Sequence, residues 1–142
     1  MSDRHYPDRP MVGVGVVVWR GPELLLIRRG KPPRIGDWSL PGGMQELGET
    51  VRETAAREVR EETGLEIEVT RLIDVVDTIT RDEDGRVRLQ YTLVDFAAEW
   101  RAGEAVAGSD AAGVGWFRPE ALGPLKLWTE TLRVIEESAA KR

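Results

Sequence analysis

The sequence predicts an α/β domain in which a mixed β-sheet lies between helices. Two features predict it: β-rich stretches that pair locally, and two main helical segments interleaved with them rather than segregated from them. A length of 142 residues favours one domain, able to bury roughly 70% of its unfolded surface around a single core.

Residues 1–10 are polar, contain Pro7 and Pro10, and read as an extended arm; residues 11–142 form the domain. Residues 12–19 and 24–28 are β-rich and flank the turn-like Arg20-Gly21-Pro22, which predicts a hairpin. The run Val12-Gly13-Val14-Gly15 is not a dinucleotide fingerprint, because Val18 stands at the third glycine position. Residues 38–40 suit a short strand that ends at Pro41-Gly42-Gly43.

From Thr50 the pattern turns helical. Thr50 with Glu53 makes a capping-box signature, and Gly64 supplies the stop. Residues 67–80 and 87–100 are β-prone and joined by the turn-like Arg81-Asp82-Glu83-Asp84-Gly85. Residues 102–112 are small and polar, a loop, and residues 113–117 suit a last short strand. Trp128, Leu132, Ile135 and Ala139 then recur at helical spacing, predicting a C-terminal amphipathic helix.

Composition removes whole classes of chemistry. With no cysteine there is no disulfide framework, zinc finger, iron–sulfur cluster or thiol nucleophile. One histidine, His5 in the arm, excludes a histidine triad and a multi-histidine metal site, and reads as a solvated residue. The net charge of −5 argues against nucleic acid as a partner. Without an apolar run of spanning length or a secretory signal, a soluble, cytoplasmic protein that does not bind membranes is expected. Charge is uneven: residues 1–45 carry +3, residues 46–68 carry −5, and the remainder −3. Carboxylates, arginines, backbone groups or a bound ion must therefore do the work.

At 100° per residue, Val51, Ala55, Ala56 and Val59 span an arc of about 140° and form the core face of the first helix. Glu58, Glu61 and Glu62 fall within about 100° of one another at the edge of that arc, while Glu53 and Arg60 lie on the far side. Like charges at these spacings repel, and carboxylates at a helix C-terminus oppose its dipole. Arg57 offsets part of this from one turn before Glu61; a hard divalent cation such as Mg²⁺ would offset more, since it takes oxygen ligands and bridges carboxylates to phosphates. A solvated acidic face is the alternative.

Upstream context favours the cation. From Gly43 the chain reads Gly43-x5-Glu49-x7-Arg57-Glu58-Val59-x-Glu61-Glu62-x-Gly64-Leu65, with Trp38-Ser39-Leu40-Pro41-Gly42 leading in. This resembles, at every specified position, the Nudix box G-x5-E-x7-R-E-U-x-E-E-x-G-U, where U is a bulky aliphatic. The resemblance covers most of the chain. It implies a Nudix-type α/β/α sandwich and hydrolysis of a nucleoside diphosphate linked to another moiety, with Mg²⁺ or Mn²⁺. By the same resemblance Glu58, Glu61 and Glu62 would be metal ligands, one of them helping to deprotonate water. A carbonyl of Gly42 or Gly43 would be a further ligand, Arg57 would hold a catalytic carboxylate, and Glu49 would support it.

The whole-chain likeness is to the ADP-ribose pyrophosphatase-like branch, particularly in the run from Arg28 to Pro33 and in the segments 77–88 and 91–96. It departs in two places. A proline often found about fifteen residues past the box is absent, with Thr80 and Arg81 there, and Gly113 stands where related proteins often carry a glutamate three residues before Trp116. Asp110, or Glu104 on the same loop, is the substitute for that base or extra ligand. The leading expectation is ADP-ribose converted to AMP and ribose 5-phosphate. The alternatives are a (deoxy)nucleoside triphosphate pyrophosphatase that cleans the nucleotide pool, and a non-catalytic nucleotide-sensing module.

Arginine forks match phosphate oxygens, which makes Arg28, Arg29 and Arg34 substrate-binding candidates, with Arg88 and Tyr91 as candidates for substrate or dimer contacts. Trp19, Trp38, Trp100, Trp116 and Trp128 are divided between core positions and a stacking face for a base. A homodimer is compatible with the sequence, and the proline-containing arm is expected either to cross to the partner, as in related dimers, or to be disordered.

Overall fold

The structure, a computed structural model, describes residues 4–32, 34–108 and 110–142. The first three residues of the arm, Pro33 of the basic run and Ser109 of the loop lie outside the described residues. In chain order the elements are strands β1 (Met11–Arg20), β2 (Glu23–Arg29), β3 (Trp38–Ser39) and β4 (Gly42–Met44), helix α1 (Val51–Thr63), strands β5 (Glu66–Arg81), β6 (Val87–Ala102) and β7 (Ala111–Phe117), and helix α2 (Thr129–Ala140). Two single 3-10 turns, Pro119–Ala121 and Gly123–Leu125, precede α2.

The sheet has the order β3-β2-β1-β6-β5, with β4 paired to β1 and β7 paired to β2. It is mixed: β1 runs parallel to β6 from Met11↔Tyr91 to Trp19↔Glu99, and the remaining pairings are antiparallel. Strand β1 is the centre of the fold and reads as a near-continuous apolar run because both of its faces are covered. Val14, Val16 and Val18 pack with Ala55 and Val59 of α1, whereas Val17 and Trp19 pack with Val134 and Ile135 of α2. The expected sandwich, with one helix on each face, is what forms.

Two elements differ from expectation. Gly42 and Gly43 do not merely end a strand; they belong to β4, which pairs with Gly13, Val14 and Gly15. In α2, Ala139 is exposed and Trp128 precedes the first turn at 51% exposure, so the buried stripe is Val134, Ile135 and Ser138. A polar residue stays in that stripe because Trp19 Nε1 donates to Ser138 Oγ at 2.9 Å, satisfying both groups inside the core.

Candidate active site at the acidic edge of helix α1

Local chemistry fixes where α1 begins and ends. The Thr50 hydroxyl accepts from Glu53 N–H at 3.0 Å and Glu53 accepts from Thr50 N–H at 2.8 Å, a complete capping box. Gly64 closes the helix at φ 78°, a left-handed conformation that glycine adopts without a Cβ penalty. Thr54 and Thr63 are fully buried on the core face, which apolar periodicity alone does not anticipate. Their hydroxyls are satisfied on the helix itself, Thr63 by Val59 O at 2.6 Å and Thr54 by Thr50 O at 3.0 Å.

Arg57 organises the acidic residues. Its Nε and Nη2 donate to the two oxygens of Glu49 at 2.6 and 3.0 Å, its Nη1 donates to Glu58 at 2.9 Å and Glu61 at 2.8 Å, and Nη2 also donates to Met44 O at 3.0 Å. Glu49 accepts further from Thr54 Oγ1 at 2.7 Å. The Arg57 bonds, then the Thr54 hydroxyl, pull the Glu49 carboxyl down to about 2, so it is a fixed anion. Glu53 and Arg60 are exposed, as expected for the far side, and Arg60 pairs with Glu66 at 2.8 Å.

Glu58 and Glu62 are in the opposite situation. Burial raises the proton affinity of Glu58, with the Arg57 guanidinium opposing. Burial drives the Glu62 carboxyl up to about 7, against a stabilising bond from Gly42 N–H at 2.8 Å and with Glu58, Asp110 and Glu61 adding repulsion. Two half-buried carboxylates of reluctant charge therefore meet a glycine strand. Strand β4 accounts for that meeting. The bonds Val16 N–H to Pro41 O and Gln45 N–H to Val12 O set the alternation of the β1–β4 ladder, which commits Gly43 to β1 and turns the polar groups of Gly42 away from it. Neither glycine has room for a side chain: a Cβ on Gly42 would collide with Val14 O, and one on Gly43 with the Glu58 carboxylate.

Among the described residues, no three Asp, Glu or His side chains are gathered as a ready-made metal cage. The reason is visible in the bonds: Arg57 draws Glu61 and Glu58 to itself, while Glu62 is held by Gly42. The donor set nevertheless suits a hard divalent ion. Three carboxylates, Glu49, Glu58 and Glu61, share one guanidinium, and Mg²⁺ commonly uses only one or two protein carboxylates with waters and phosphate completing its shell.

Asp110 reaches this edge through the loop that follows β6. Val106 N–H donates to Thr63 O at 3.0 Å and Gly108 N–H to Glu62 O at 2.8 Å, so the loop caps the last carbonyls of α1. Asp110 is exposed, pairs with Lys31 at 2.7 Å and adds negative field at Glu62. Glu104 is exposed beside Gly64. Gly113 pairs with Arg28 across β7 and β2, and a side chain there would meet only Arg28 Nε, at 4.0 Å.

A cleft of about 1120 Å³ adjoins the acidic edge and is lined there by Gly42, Gly43 and Met44. Arg29, Arg34, Arg88 and Tyr91 line it; Arg28, the neighbour of Arg29 on β2, does not, and its guanidinium lies 5.9 Å over the Trp38 ring. Of the five tryptophans only Trp128 lines the cleft: Trp19 is core, Trp38 packs edge-on to Phe117 at 5.1 Å, Trp100 Nε1 donates to Gly103 O at 2.9 Å, and Trp116 lies under the Arg20 guanidinium at 4.2 Å.

The arm is held against its own chain. Tyr6 N–H donates to Arg88 O at 2.7 Å and its hydroxyl to Asp82 at 2.9 Å, with the Arg86 guanidinium 4.6 Å over the ring. The described arm thus folds back on the β5–β6 hairpin of its own chain, and Arg4 and His5 line the cleft, His5 being exposed there. Asp95, Glu130 and Thr131 also line it and escape sequence reasoning. Asp95 sits in an apolar strand run, where one polar residue carries no local signal.

The NUDIX domain family model matches residues 9–137. The chain is 38% identical over 108 residues to the ADP-ribose pyrophosphatase of Methanocaldococcus jannaschii, covering 76% of this chain but only 62% of that protein. It is 35% identical over 122 residues to a MutT-like protein of Streptomyces ambofaciens, covering 86% and 72% of the two chains. Among solved structures, a MutT NUDIX hydrolase from Burkholderia pseudomallei superposes with a TM-score of 0.78 at 31% identity, covering 92% of this chain and 98% of that one.

Proposed function

Since the chain belongs to the NUDIX family, we propose that it is a divalent-metal-dependent pyrophosphohydrolase that cleaves the diphosphate of a nucleoside diphosphate derivative. ADP-ribose, split by water into AMP and ribose 5-phosphate, is the leading substrate. The observation that carries this reading is the junction at β4. There two half-buried carboxylates, Glu58 and Glu62, meet Gly42 and Gly43, and the same two glycines line a cleft that Arg29, Arg34 and Arg88 also line.

Glu58, Glu61 and Glu62 would hold Mg²⁺ or Mn²⁺, and the Gly42 carbonyl, which the β1–β4 ladder leaves unused, is the better backbone candidate than that of Gly43. The ion, when bound, supplies a lowered pKa for water and neutralises charge developing on the phosphate oxygens. Arg57, anchored by Glu49, orients Glu58 and Glu61 at that edge. Arg29 and Arg34 would bind the diphosphate by forked, charge-assisted hydrogen bonds. One of Glu58, Glu61 and Glu62, or Asp110 nearby, is the candidate to take the proton from water. The similarity to the named ADP-ribose pyrophosphatase supports the choice of substrate. A homodimer and a cytoplasmic location belong to the same proposal; among the described residues no helix is long and apolar enough to cross a membrane.

Chromatographic identification of products tests the reading, with Mg²⁺ and a panel of ADP-ribose, other nucleotide sugars and (deoxy)nucleoside triphosphates. AMP from ADP-ribose, with triphosphates untouched, is the expected result. Pyrophosphate released from a triphosphate would replace it with the nucleotide-pool function, and binding without turnover across the panel would leave a sensing module.

A further inference from the structure

Asp95 is 8% exposed, and among the described residues no hydrogen bond reaches its carboxyl. A buried carboxyl without a partner is costly, and native structures rarely leave one. No fully enclosed side-chain oxygen or nitrogen of the described residues lacks a partner, so the small exposed part of Asp95 is its oxygens, open to the cleft that it lines. Arg133, whose charge acts on Asp95, is paired elsewhere, to Asp74 at 2.8 Å and Glu130 at 3.1 Å. Burial, then the Asp74 charge, raises the proton affinity of Asp95, with Arg133 opposing.

The fold makes space at this point. Asp95 is the Cα partner of Gly15 on β1, and a Cβ on Gly15 would collide with Asp95 Oδ1; two residue pairs along, a Cβ on Gly13 would lie 2.9 Å from Leu93. Gly15 thus gives the Asp95 carboxyl its room and Gly13 gives Leu93 its room, and Leu40, Leu93 and the half-exposed Trp128 line the same cleft as the Asp95 acceptor. Gly15 is in turn the partner of Gly42 on β4, so Asp95 and Gly42 are separated by two strand spacings, on the order of 10 Å. That is about the span of a nucleoside monophosphate from its phosphate to the far edge of its base.

We propose that Asp95 is a specificity-determining residue whose carboxyl accepts a hydrogen bond from the exocyclic amino group of the substrate's purine base. The proposal rests on the reading of the β4 junction as the site of phosphate chemistry. A cleft that offers apolar walls and a buried acceptor without a partner accepts a flat heterocycle that donates at its edge, and it disfavours one that leaves that acceptor unpaired.

The test uses two pairs of substrates that differ by one amino group: ADP-ribose against its analogue with unsubstituted purine, and GTP against ITP. In the pair that the wild type hydrolyses, removal of the amino group should lower kcat/KM by about tenfold or more. Asp95→Ala should shrink that ratio to within about twofold, chiefly through KM, while Asp95→Asn, which keeps a carbonyl acceptor, should retain most of it. Asp95→Leu, close in size and apolar, serves if the alanine variant does not fold. A wild-type ratio preserved in the alanine or leucine variant would overturn the proposal. If the wild type hydrolyses neither pair, the pyrophosphohydrolase reading fails on its own account, and calorimetry on the monophosphates of the same four bases decides the role of Asp95. A preference for the amino-bearing base that the apolar variant abolishes supports it; no preference, or no binding, refutes it.

Discussion

The Glu58 carboxylate occupies the space that a side chain at position 43 would need: a Cβ on Gly43 would lie 2.5 and 2.6 Å from its two oxygens. A helix side chain and a strand backbone are packed against each other with no atom to spare, which gives Gly43 a role that its backbone conformation alone does not require. Gly43→Ala should therefore displace Glu58 rather than break β4, since the obstacle is the far end of a flexible side chain. The expected outcome is a fall in kcat of about tenfold or more with a melting temperature changed by only a few degrees. A variant with wild-type kcat would show that Glu58 need not sit against position 43.

Glu58→Gln and Glu62→Gln should each lower kcat by about a hundredfold or more at saturating Mg²⁺ while leaving the fold intact. Each swap keeps shape and removes charge. Circular dichroism and thermal melts establish folding, and near-normal turnover in both variants would remove these residues from the catalytic assignment.

Glu49 acts through Arg57, so its loss should be felt at a distance. In Glu49→Gln the guanidinium loses an anionic anchor and turns more fully to Glu58 and Glu61, competing with the cation for them. A rise of about 10- to 100-fold in the Mg²⁺ concentration for half-maximal activity is expected, with the KM for nucleotide little changed. An unchanged metal requirement would confine Glu49 to holding the loop before α1.

Stability should depend on pH through Asp95. Burial raises its carboxyl from an ordinary 3.8 to about 6, with Asp74 and Glu130 adding to the rise and Arg133 opposing it. Between those values the folded chain holds a proton that the unfolded chain has released, so this contribution to stability is full below about 4 and is lost as the pH climbs through 6. The loss is on the order of 2–3 kcal/mol. Asp95→Asn lacks this titration. Urea unfolding should therefore show the asparagine variant gaining on the wild type between pH 4 and pH 7.5, and parallel stability curves would contradict the burial of an ionisable group there.

Much of the site could be read from the chain because it is local. The capping box, the Gly64 stop and the spacing of Arg57, Glu58, Glu61 and Glu62 all lie within fifteen consecutive residues, where helix geometry alone sets which side chains share an edge. The reach of Arg57 to Glu61 is one helical turn and follows from the same rule. Alternation and turn residues likewise placed the first hairpin and the long β5–β6 hairpin to within a few residues.

Contacts between distant segments were decided only by tertiary structure. Gly42 becomes a strand residue, and a donor to Glu62, because β1 offers it a free edge. Arg28 and Arg29 take opposite faces as strand neighbours, but the packed sheet decides that Arg29 is the one on the cleft. Asp95 lies in the cleft because β1 and β6 run parallel in a register that sets it beside Gly15, and a shift of one residue would turn it to the face covered by α1. Helical spacing is a property of neighbours along the chain, so the sequence by itself determined the acidic edge. Strand register is a property of the whole packed sheet, so only the folded molecule determined what that edge faces.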